Sequence, residues 1–453
     1  MAVHSYDLVI VGAGSGNMLP VEKFAGWRVA MVESGRFGGT CLNRGCIPSK
    51  MLVHTADIAQ TVRHAGQFGL SAKWAGADWP AIRERVFGRI DPLHGQAVAY
   101  RREGNIDVIL GEARFVAPKT LMVGDDEIHA ERFVLAAGSR PRIPRVDGLA
   151  GVDYLTSDTV MRLDRLPKSM AVLGGGYIAA EMSHIFGSLG TKITIVERGE
   201  CLLARHDADI RARFTELYRE RFDLRLGATA KRVSATRKGV HLDLVATSGA
   251  QAAECEVLLV AVGRVPNSDR LGVGAAGIET DEHGHVVTDD TYQTNVPGIW
   301  ALGDLANHFQ LKHMANAETR LVHHNLLHPD RPRRAAFPVV PSAVFADPQV
   351  ASAGATEQEL QDAGRPYVVA THTYSDAAYG WALEDTASFV KVLADPATRL
   401  LLGAHILGPQ ASTLIQPLVQ AMYLGNTADQ VASGVVYIHP ALTEVVEQAL
   451  LDL

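Results

Sequence analysis

Short, mostly apolar runs recur along the chain and predict buried strands, and four of the six are followed by glycine. They cover residues 6–11, 28–32, 131–137, 170–173, 192–196 and 255–262. A run that is apolar at every position suits a parallel strand covered on both faces. Residues 52–65 and 82–100 are predicted to be helices, and another helix is predicted to end at Leu189. This alternation predicts an α/β fold.

The first strand leads into a glycine-rich turn typical of a dinucleotide site. Gly12 suits the tight turn, and Gly14 lets the backbone approach a pyrophosphate at the start of a predicted helix. The third glycine of the pattern is displaced, because Asn17 holds its position and Gly16 precedes it. Glu33 ends the next strand, where an acid meets a ribose hydroxyl.

A second unit of the same kind begins at residue 170. Its turn contains Gly174 and Gly176, followed by Tyr177 and Ile178. The strand 192–196 then ends in Glu197 and Arg198. Two fingerprints are far more specific than one, and they predict two dinucleotides, one held permanently and one exchanging. Glu197 favours NAD, whereas Arg198, with Arg205, suits the 2′-phosphate of NADP, and we favour NADPH.

The remaining sequence divides into recognisable segments. A strand runs into a turn at Gly138, the strand 255–262 ends at Gly263, and residues 294–304 form a turn and strand ending in Gly303-Asp304. Taken alone, Asp304 would be a helix N-cap. After residue 338, strands at 343–346, 389–393 and 401–406 and amphipathic helices predict a separate α+β domain. The predicted domains are 1–148, 149–267, 268–338, which completes the first, and 339–453.

Two of the four cysteines, Cys41 and Cys46, lie five residues apart behind a Gly-Gly turn. Five helical steps span about 7.5 Å, whereas a disulfide needs Cα atoms about 4.4–6.8 Å apart. If the two are bonded, the backbone must therefore leave ideal helix, which Gly45 permits. The alternatives are two inert thiols or half of a metal site. No metal site is expected, because no second Cys or His pair follows at zinc-like spacing.

Composition narrows the class of protein. The chain has 453 residues, of which 47% are hydrophobic and 21% charged, enough for a sizeable core. The net charge of −7 argues against nucleic-acid binding. The longest apolar runs are far too short to span a membrane, and a strand at residue 6 leaves no room for a signal peptide. Four cysteines do not make a secreted disulfide framework, so a cytoplasmic protein is expected.

The order of five motifs resembles the flavoprotein disulfide reductases, the family of glutathione reductase and dihydrolipoamide dehydrogenase. These motifs are the Gly12 turn, residues 38–50, residues 174–181, residues 294–304, and His439-Pro440 with Glu444. Within the family, residues 86–92 and 378–386 are similar to the mycothione reductases. The resemblance covers essentially the whole chain, and it implies two Rossmann-like domains followed by a C-terminal dimer-interface domain.

The resemblance implies FAD and NADPH as cofactors. Residues matching the FAD site are Gly12, Gly14, Gly16, Glu33, Gly39, Thr40, Lys50, Gly138 and Asp304. Residues matching the NADPH site are Gly174, Gly176, Tyr177, Ile178, Glu197, Arg198 and Gly263. Tyr177 is similar to the family's aromatic lid over the nicotinamide pocket, although a tyrosine there could equally lie on a helix surface.

The resemblance also implies a catalytic set. Cys46 would lie against the flavin while Cys41 attacks a substrate disulfide, and Lys50 and Glu181 match an ion pair beside the flavin. His439 would be the acid and base, oriented by Glu444, since an imidazole titrates near neutral pH. In the family this pair comes from the partner subunit, which implies an obligate homodimer with shared active sites.

The implied substrate is a low-molecular-weight disulfide, most closely mycothione, the disulfide of mycothiol. Two alternatives within the family stay open: an NAD-linked dihydrolipoamide dehydrogenase and a glutathione-reductase-like enzyme. A third, from another class, is a non-enzymatic flavin-binding redox sensor. That alternative would require neither a second nucleotide site nor His439 and Glu444.

Overall fold

The computed structural model describes residues 2–20, 23–24 and 26–453. In chain order the strands are β1 Val3–Val11, β2 Val29–Glu33, β3 Ile106–Leu110, β4 Ala113–Ala117, β5 Thr120–Val123, β6 Asp126–Leu135, β7 Ser139–Pro141, β8 Tyr154–Leu155, β9 Ser169–Leu173, β10 Lys192–Val196, β11 Asp223–Arg225, β12 Ala228–Thr236, β13 Gly239–Ala246, β14 Gly249–Cys255, β15 Val257–Val260, β16 Arg264–Pro266, β17 Ile299–Ala301, β18 Ser342–Val344, β19 Val350–Gly354, β20 Val368–Thr373, β21 Phe389–Ala394 and β22 Leu401–Leu407. The helices are α1 Gly39–Arg44, α2 Cys46–His64, α3 Trp79–Ile90, α4 Pro92–Glu103, α5 Tyr177–Leu189, α6 Ala208–Arg221, α7 Ser268–Leu271, α8 Lys312–Leu327, α9 Glu357–Asp362, α10 Ala378–Ala382, α11 Ala411–Leu424, α12 Ala428–Ser433 and α13 Thr443–Leu451.

The first sheet has the strand order β3-β2-β1-β6-β5-β4, with β17 also paired to β6. β1 runs parallel to β2 and β6, and β17 is parallel to β6. Leu8 and Ile10 of β1 pack in one apolar cluster, whereas Val9 and Val11 pack in another. Both faces of this strand are therefore buried, which explains its continuous apolar run.

The helix predicted after the first glycine turn is absent from the described residues between 16 and 28. Gly16–Met18 form a short 3-10 turn instead, and Pro20 follows it closely. Residues 21, 22 and 25 lie outside the described part of the chain. The Arg101 side chain holds the turn through bonds to the Oδ1 and carbonyl oxygen of Asn17, the former at 2.8 Å. The residue that replaces the third glycine is therefore an anchor for a loop.

The single helix predicted over 82–100 is two helices, α3 and α4, and that prediction was wrong. Pro92 begins α4 directly after Asp91. A proline lacks the backbone N–H that a continuous helix would use, and its ring displaces the preceding turn. The chain therefore starts a new helix there.

The second parallel sheet has the order β11-β10-β9-β15-β8. β10 matches the predicted strand 192–196 residue for residue. The predicted strand 255–262 is corrected, because Cys255 ends β14 in an antiparallel sheet and the parallel strand is Val257–Val260. The chain changes sheets at Glu256, whose N–H donates to Ser169 Oγ at 3.0 Å.

The C-terminal sheet has the order β18-β19-β22-β21-β20, with antiparallel neighbours. Helices α11, α12 and α13 contribute to its apolar core, as the predicted α+β domain requires. Of the helices in the described part of the chain, none combines the length and apolar character needed to cross a bilayer.

A buried lysine joins this sheet to the second one. Lys391 of β21 is 1% exposed, and its Nζ lies 2.9 Å from Asp207, 2.6 Å from Asp209 and 2.6 Å from Glu357. Burial alone would lower the lysine pKa, but hydrogen bonds to the three carboxylates outweigh it and raise the pKa. Asp207 and Asp209 lie at the start of α6, so the ion cluster spans both parts of the chain.

Candidate active site

The two cysteines of the Gly-Gly segment lie on either side of a helix break. Cys41 is in α1, Cys46 begins α2, and Gly45 between them has φ −140° and ψ −118°. A Cβ on Gly45 would lie 2.9 Å from the Thr40 carbonyl oxygen, closer than the backbone tolerates. The predicted departure from helix at Gly45 is therefore confirmed. Neither cysteine is part of a disulfide in this structure.

The two sulfurs share a hydrogen bond that divides their acidities. The bond from the Cys41 thiol stabilises the Cys46 thiolate, Lys50 adds an attractive charge, and the pKa of Cys46 falls to about 7 despite burial. The same bond, together with burial, raises the pKa of Cys41. Cys46 thus carries the negative charge near neutral pH. Cys41 keeps its proton, so its sulfur becomes a nucleophile only when a base removes that proton.

An ion pair joins the cysteine helix to the helix after the second fingerprint. Lys50 Nζ lies 2.7 Å from both carboxylate oxygens of Glu181, and Glu181 Oε1 also accepts the Phe345 N–H at 3.0 Å. Lys50 Nζ lies 4.4 Å from the centre of the Phe345 ring. Glu181 is buried whereas the Lys50 side chain is 35% exposed, so the pair is partly shielded from solvent and holds the Lys50 charge near Cys46.

A cleft with a volume of about 1,930 Å³ contains this pair of cysteines. The predicted site residues that line it are Gly12, Gly14, Glu33, Gly39, Thr40, Cys41, Cys46, Lys50, Gly138, Tyr177, Ile178, Glu181 and Asp304. The cleft thus connects the first glycine turn, the thiols and the start of α5. Its size and extended form suit a dinucleotide.

The floor of the cleft at the first fingerprint is bare backbone. Gly12 has φ +101°, and a Cβ there would lie 2.3 Å from the Ala136 carbonyl oxygen. A Cβ on Gly39 would lie 2.6 Å from the Gly14 Cα. Glu33 accepts the Ala13 N–H at 2.6 Å and the Gly35 N–H at 2.7 Å, which fixes its carboxylate on the wall. A backbone cradle with a fixed carboxylate fits the pyrophosphate and ribose of FAD.

Gly16 serves packing and lies beneath the cleft. It is buried, and a Cβ there would lie 2.7 Å from Ile10 Cγ2. At the other end of the cleft, Asp304 Oδ2 accepts the Ser139 hydroxyl at 2.6 Å, and Arg264 donates to the same hydroxyl at 2.8 Å. The N-cap reading of Asp304 does not hold, since Leu302 occupies the cap position of the short turn Gly303–Leu305.

The glycine turn of the second fingerprint, like that of the first, has a positive φ and a close approach to neighbouring backbone. Gly174 has φ +110°, and a Cβ there would lie 2.4 Å from the Ala261 carbonyl oxygen. A Cβ on Gly175 would lie 2.8 Å from Glu197 Cγ, which places the end of β10 beside this turn. Gly263 also has positive φ, at +111°. A group of predicted residues lies outside the cleft lining: Gly16, Gly174, Gly176, Glu197, Arg198 and Gly263. Arg205 lines the cleft, whereas Arg198 is exposed beyond it.

His439 and Glu444 form a pair at the other end of the chain. His439 Nδ1 lies 2.7 Å from Glu444 Oε1, and this hydrogen bond lowers the pKa of Glu444. The His439 side chain is 72% exposed. Of the described residues, neither member of this pair lines the cleft. Within one chain, His439 therefore lies outside the cleft that contains Cys41.

Four residues that contribute to the site were missed from the sequence. Lys312, at the start of α8, lines the cleft and donates to Ser15 Oγ at 3.2 Å. Burial lowers its pKa against the opposing pull of Cys41 and Cys46. The other missed residues are Ser139, Arg264 and Phe345. Only Lys312 carried a usable signal, because it begins a helix shortly after Gly303-Asp304.

Comparison with known proteins identifies the class. Residues 6–319 match the pyridine nucleotide-disulphide oxidoreductase family, and residues 340–450 match the dimerisation domain of that family. The chain belongs to this family. It is a flavoprotein disulfide reductase whose cofactors are FAD and NADPH, with the α/β fold and the C-terminal domain expected from the sequence.

Individual relatives give a finer comparison. The chain is 44% identical to mycothione reductase of Mycobacterium tuberculosis, with 100% of both chains covered. It is 31% identical to dihydrolipoyl dehydrogenase of Chlamydia muridarum, covering 99% of this chain and 97% of the relative. Among solved structures it is similar to the HOCl-induced flavoprotein disulfide reductase RclA from Escherichia coli. That structure has a TM-score of 0.86 and 28% identity, and the alignment covers 98% of this chain and 99% of RclA.

Proposed function

We propose that this flavoprotein disulfide reductase acts on mycothione and works as a homodimer with shared active sites. The observation that carries the proposal is the Cys41–Cys46 pair, which lies on either side of a helix break and lines a cleft that suits FAD. The 44% identity to a mycothione reductase along both full chains supports the substrate. We further propose that the reaction takes place in the cytoplasm, in keeping with a chain whose four cysteines do not form a secreted disulfide framework.

The proposed domains keep the predicted boundaries: 1–148 with 268–338 for FAD, 149–267 for NADPH and 339–453 for the dimer interface. FAD would be held by the cleft residues of the first fingerprint, with Glu33 at the ribose and Asp304 at the opposite end. Bound FAD supplies two-electron transfer from NADPH to the cysteine pair. NADPH would be held by Gly174, Gly176, Tyr177, Ile178 and Gly263, at the N-terminus of α5.

Reduction of the substrate would proceed by thiol exchange. The partner's His439 removes the Cys41 proton, and the Cys41 sulfur attacks one sulfur of the substrate disulfide. The first thiol leaves with the proton from His439, and a mixed disulfide remains on Cys41. The Cys46 thiolate would then attack the Cys41 sulfur, which closes the Cys41–Cys46 disulfide and releases the second product as a thiolate that takes its proton from solvent. Two electrons from NADPH reopen that disulfide for the next cycle.

The His439 ring is arranged for this role. Its Nδ1 is engaged by Glu444, so an Nδ1–H donated to the carboxylate leaves Nε2 as the reactive nitrogen. Exposed apolar residues precede it, with Val436 99% and Ile438 75% exposed. An apolar strip of this kind favours burial against a second copy of the chain. The matched dimerisation domain supports the same arrangement.

A substrate panel tests the proposal. Oxidised mycothiol, oxidised glutathione and lipoamide are each offered with NADPH and with NADH. We expect the kcat/KM for mycothiol disulfide with NADPH to exceed the others by at least about 100-fold, since a site built for particular polar groups rejects analogues strongly. A preference for lipoamide with NADH would assign the chain to dihydrolipoamide dehydrogenase and contradict the proposal.

The 2′-phosphate of NADPH offers a second test, of Arg198 and Arg205. A charge-assisted contact to phosphate contributes about 1.5–3 kcal/mol, so Arg198→Ala is expected to raise the KM for NADPH by about 10- to 100-fold. The KM for NADH should change little. Arg205→Ala is the matched comparison, because Arg205 lines the cleft while Arg198 lies beside Glu197. Equal effects of Arg198→Ala on both nucleotides would remove Arg198 from the phosphate site.

A further inference from the structure

A tight turn at residues 281–285 carries Asp281 and His285. It lies beside the loop after Gly303-Asp304, which carries His308. The turn is closed by the Asp281 N–H, which donates to the His285 carbonyl oxygen at 2.8 Å. The Val286 N–H donates to the Leu305 carbonyl oxygen at 2.9 Å, so the turn is fixed to the loop that carries His308. The sequence pattern predicted no metal site, because these residues are separated in the chain and lack zinc-like spacing.

We propose that Asp281, His285 and His308 bind a divalent transition-metal ion of the class that prefers imidazole and carboxylate, such as Zn²⁺. Their potential ligand atoms all lie within 4.8 Å of one another. Two imidazoles and one carboxylate, with a fourth position open to water, form a known ligand set for such ions.

The distances already approach those of a coordinated ion. Asp281 Oδ2 lies 3.4 Å from His285 Nδ1 and 3.2 Å from His308 Nε2. Two ligands at the usual distance from a tetrahedral zinc ion lie roughly 3.3 Å apart. The His285 and His308 ring centres are 4.1 Å apart with planes inclined by 59°. A cation at the common point of these atoms therefore requires only small side-chain rotations.

Backbone N–H groups of the same turn orient the Asp281 carboxylate for metal binding. Asp281 Oδ1 accepts the N–H groups of His283 and His285, at 2.9 and 2.8 Å. Those bonds leave Oδ2 directed at the two imidazoles. An outer shell that fixes one carboxylate oxygen and frees the other is the arrangement found around protein metal ligands.

The burial of His285 is a second observation that points to a ligand, independent of the distances between the three side chains. It is only 6% exposed, yet neither of its ring nitrogens has a hydrogen-bond partner among the described residues. Buried polar atoms without partners are rare and costly, and a bound cation would satisfy one of them.

The proposed ion would act as a clamp on the wall of the cleft. His308 lines the cleft and is joined through the same loop to Lys312. Metal binding would therefore fix the loop 305–312 against the turn 281–285. Because the ion binds the folded state, the melting temperature should also rise with the logarithm of the metal concentration once that concentration exceeds the dissociation constant.

Equilibrium dialysis of the FAD-loaded enzyme against micromolar Zn²⁺, with metal content measured by mass spectrometry, tests the site. We expect about one zinc ion per chain in the wild type. His308→Ala should weaken binding by more than the roughly 10- to 100-fold lost with an outer-shell partner. His308 is 62% exposed, so its removal leaves the core intact. Zn²⁺ should raise the melting temperature of the wild type and leave that of His308→Ala unchanged.

Two control variants make the test specific. His283→Ala removes a neighbouring histidine whose ring centre lies 5.8 Å from that of His308, and it should retain zinc. Cys46→Ser removes a thiol ligand from the redox pair and should also retain zinc. The proposal is overturned if His308→Ala binds zinc as the wild type does, if Cys46→Ser loses it, or if the wild type binds none. Asp281→Asn provides a second ligand variant with the same expected loss.

Discussion

His439→Gln is expected to lower disulfide turnover by about 100- to 10,000-fold, the usual contribution of a general acid–base group. The reason lies in the cysteine pair, because the raised pKa of Cys41 keeps the attacking sulfur protonated. Steady-state turnover of mycothiol disulfide measures the loss. The first half-reaction, reduction of the enzyme by NADPH, should remain almost intact in stopped-flow experiments, since it does not require this base.

Glu444→Gln is the graded comparison, and mixed dimers locate the base. The glutamine keeps a hydrogen bond to His439 but removes the charge, so a smaller loss is expected. Cys41→Ser and His439→Gln subunits are each inactive, yet a heterodimer contains one site with both wild-type groups when sites are shared. Activity should return on subunit exchange. If exchange is demonstrated and activity stays absent, the shared-site proposal fails.

Removal of the Cys41 sulfur is expected to abolish disulfide turnover, by at least about four orders of magnitude, and to change the acidity of Cys46. The hydrogen bond from Cys41 is the largest cause of the lowered Cys46 pKa. A serine at position 41 can still donate that bond, whereas alanine cannot. Cys41→Ser should therefore leave the pKa of Cys46 at about 7, whereas Cys41→Ala should raise that pKa.

The measurement is a pH titration of the long-wavelength absorbance that a thiolate gives beside bound FAD in the reduced enzyme. In Cys41→Ser the band should appear as the pH rises through about 7, and in Cys41→Ala only at higher pH. Cys46→Ser should eliminate it. Equal bands in the Cys41→Ser and Cys46→Ser variants would reverse the assignment of the two sulfurs.

The sequence predicted those parts of the fold that are determined by residues close together in the chain. Strand β10 and the break at Gly45 were predicted correctly, because continuous apolar runs and a glycine between two cysteines constrain the backbone directly. The helix predicted after the first fingerprint does not form in the described residues there, where Arg101, a residue of another element, donates to Asn17. Nothing near Asn17 in the chain could indicate that contact.

The same distinction applies to the site. The glycines, Glu33 and the cysteine pair belong to recognisable spacings, and most of them line one cleft. The contact of Ser139 with both Asp304 and Arg264 joins three distant segments, so no spacing announces it. The roles of His439 and Glu444 remain predictions, because they depend on a second copy of the chain.

The buried Lys391 cluster shows that the boundary between the two family matches is not a boundary between independently stable parts of the chain. The family match divides between residues 319 and 340, yet Lys391 on one side of that division is neutralised largely by Asp207 and Asp209 on the other. Removing one partner of a buried ion pair typically costs about 3–5 kcal/mol. An excised segment 340–453 would lose both aspartates at once. The C-terminal segment should therefore be exchanged between relatives only together with the residues that start α6.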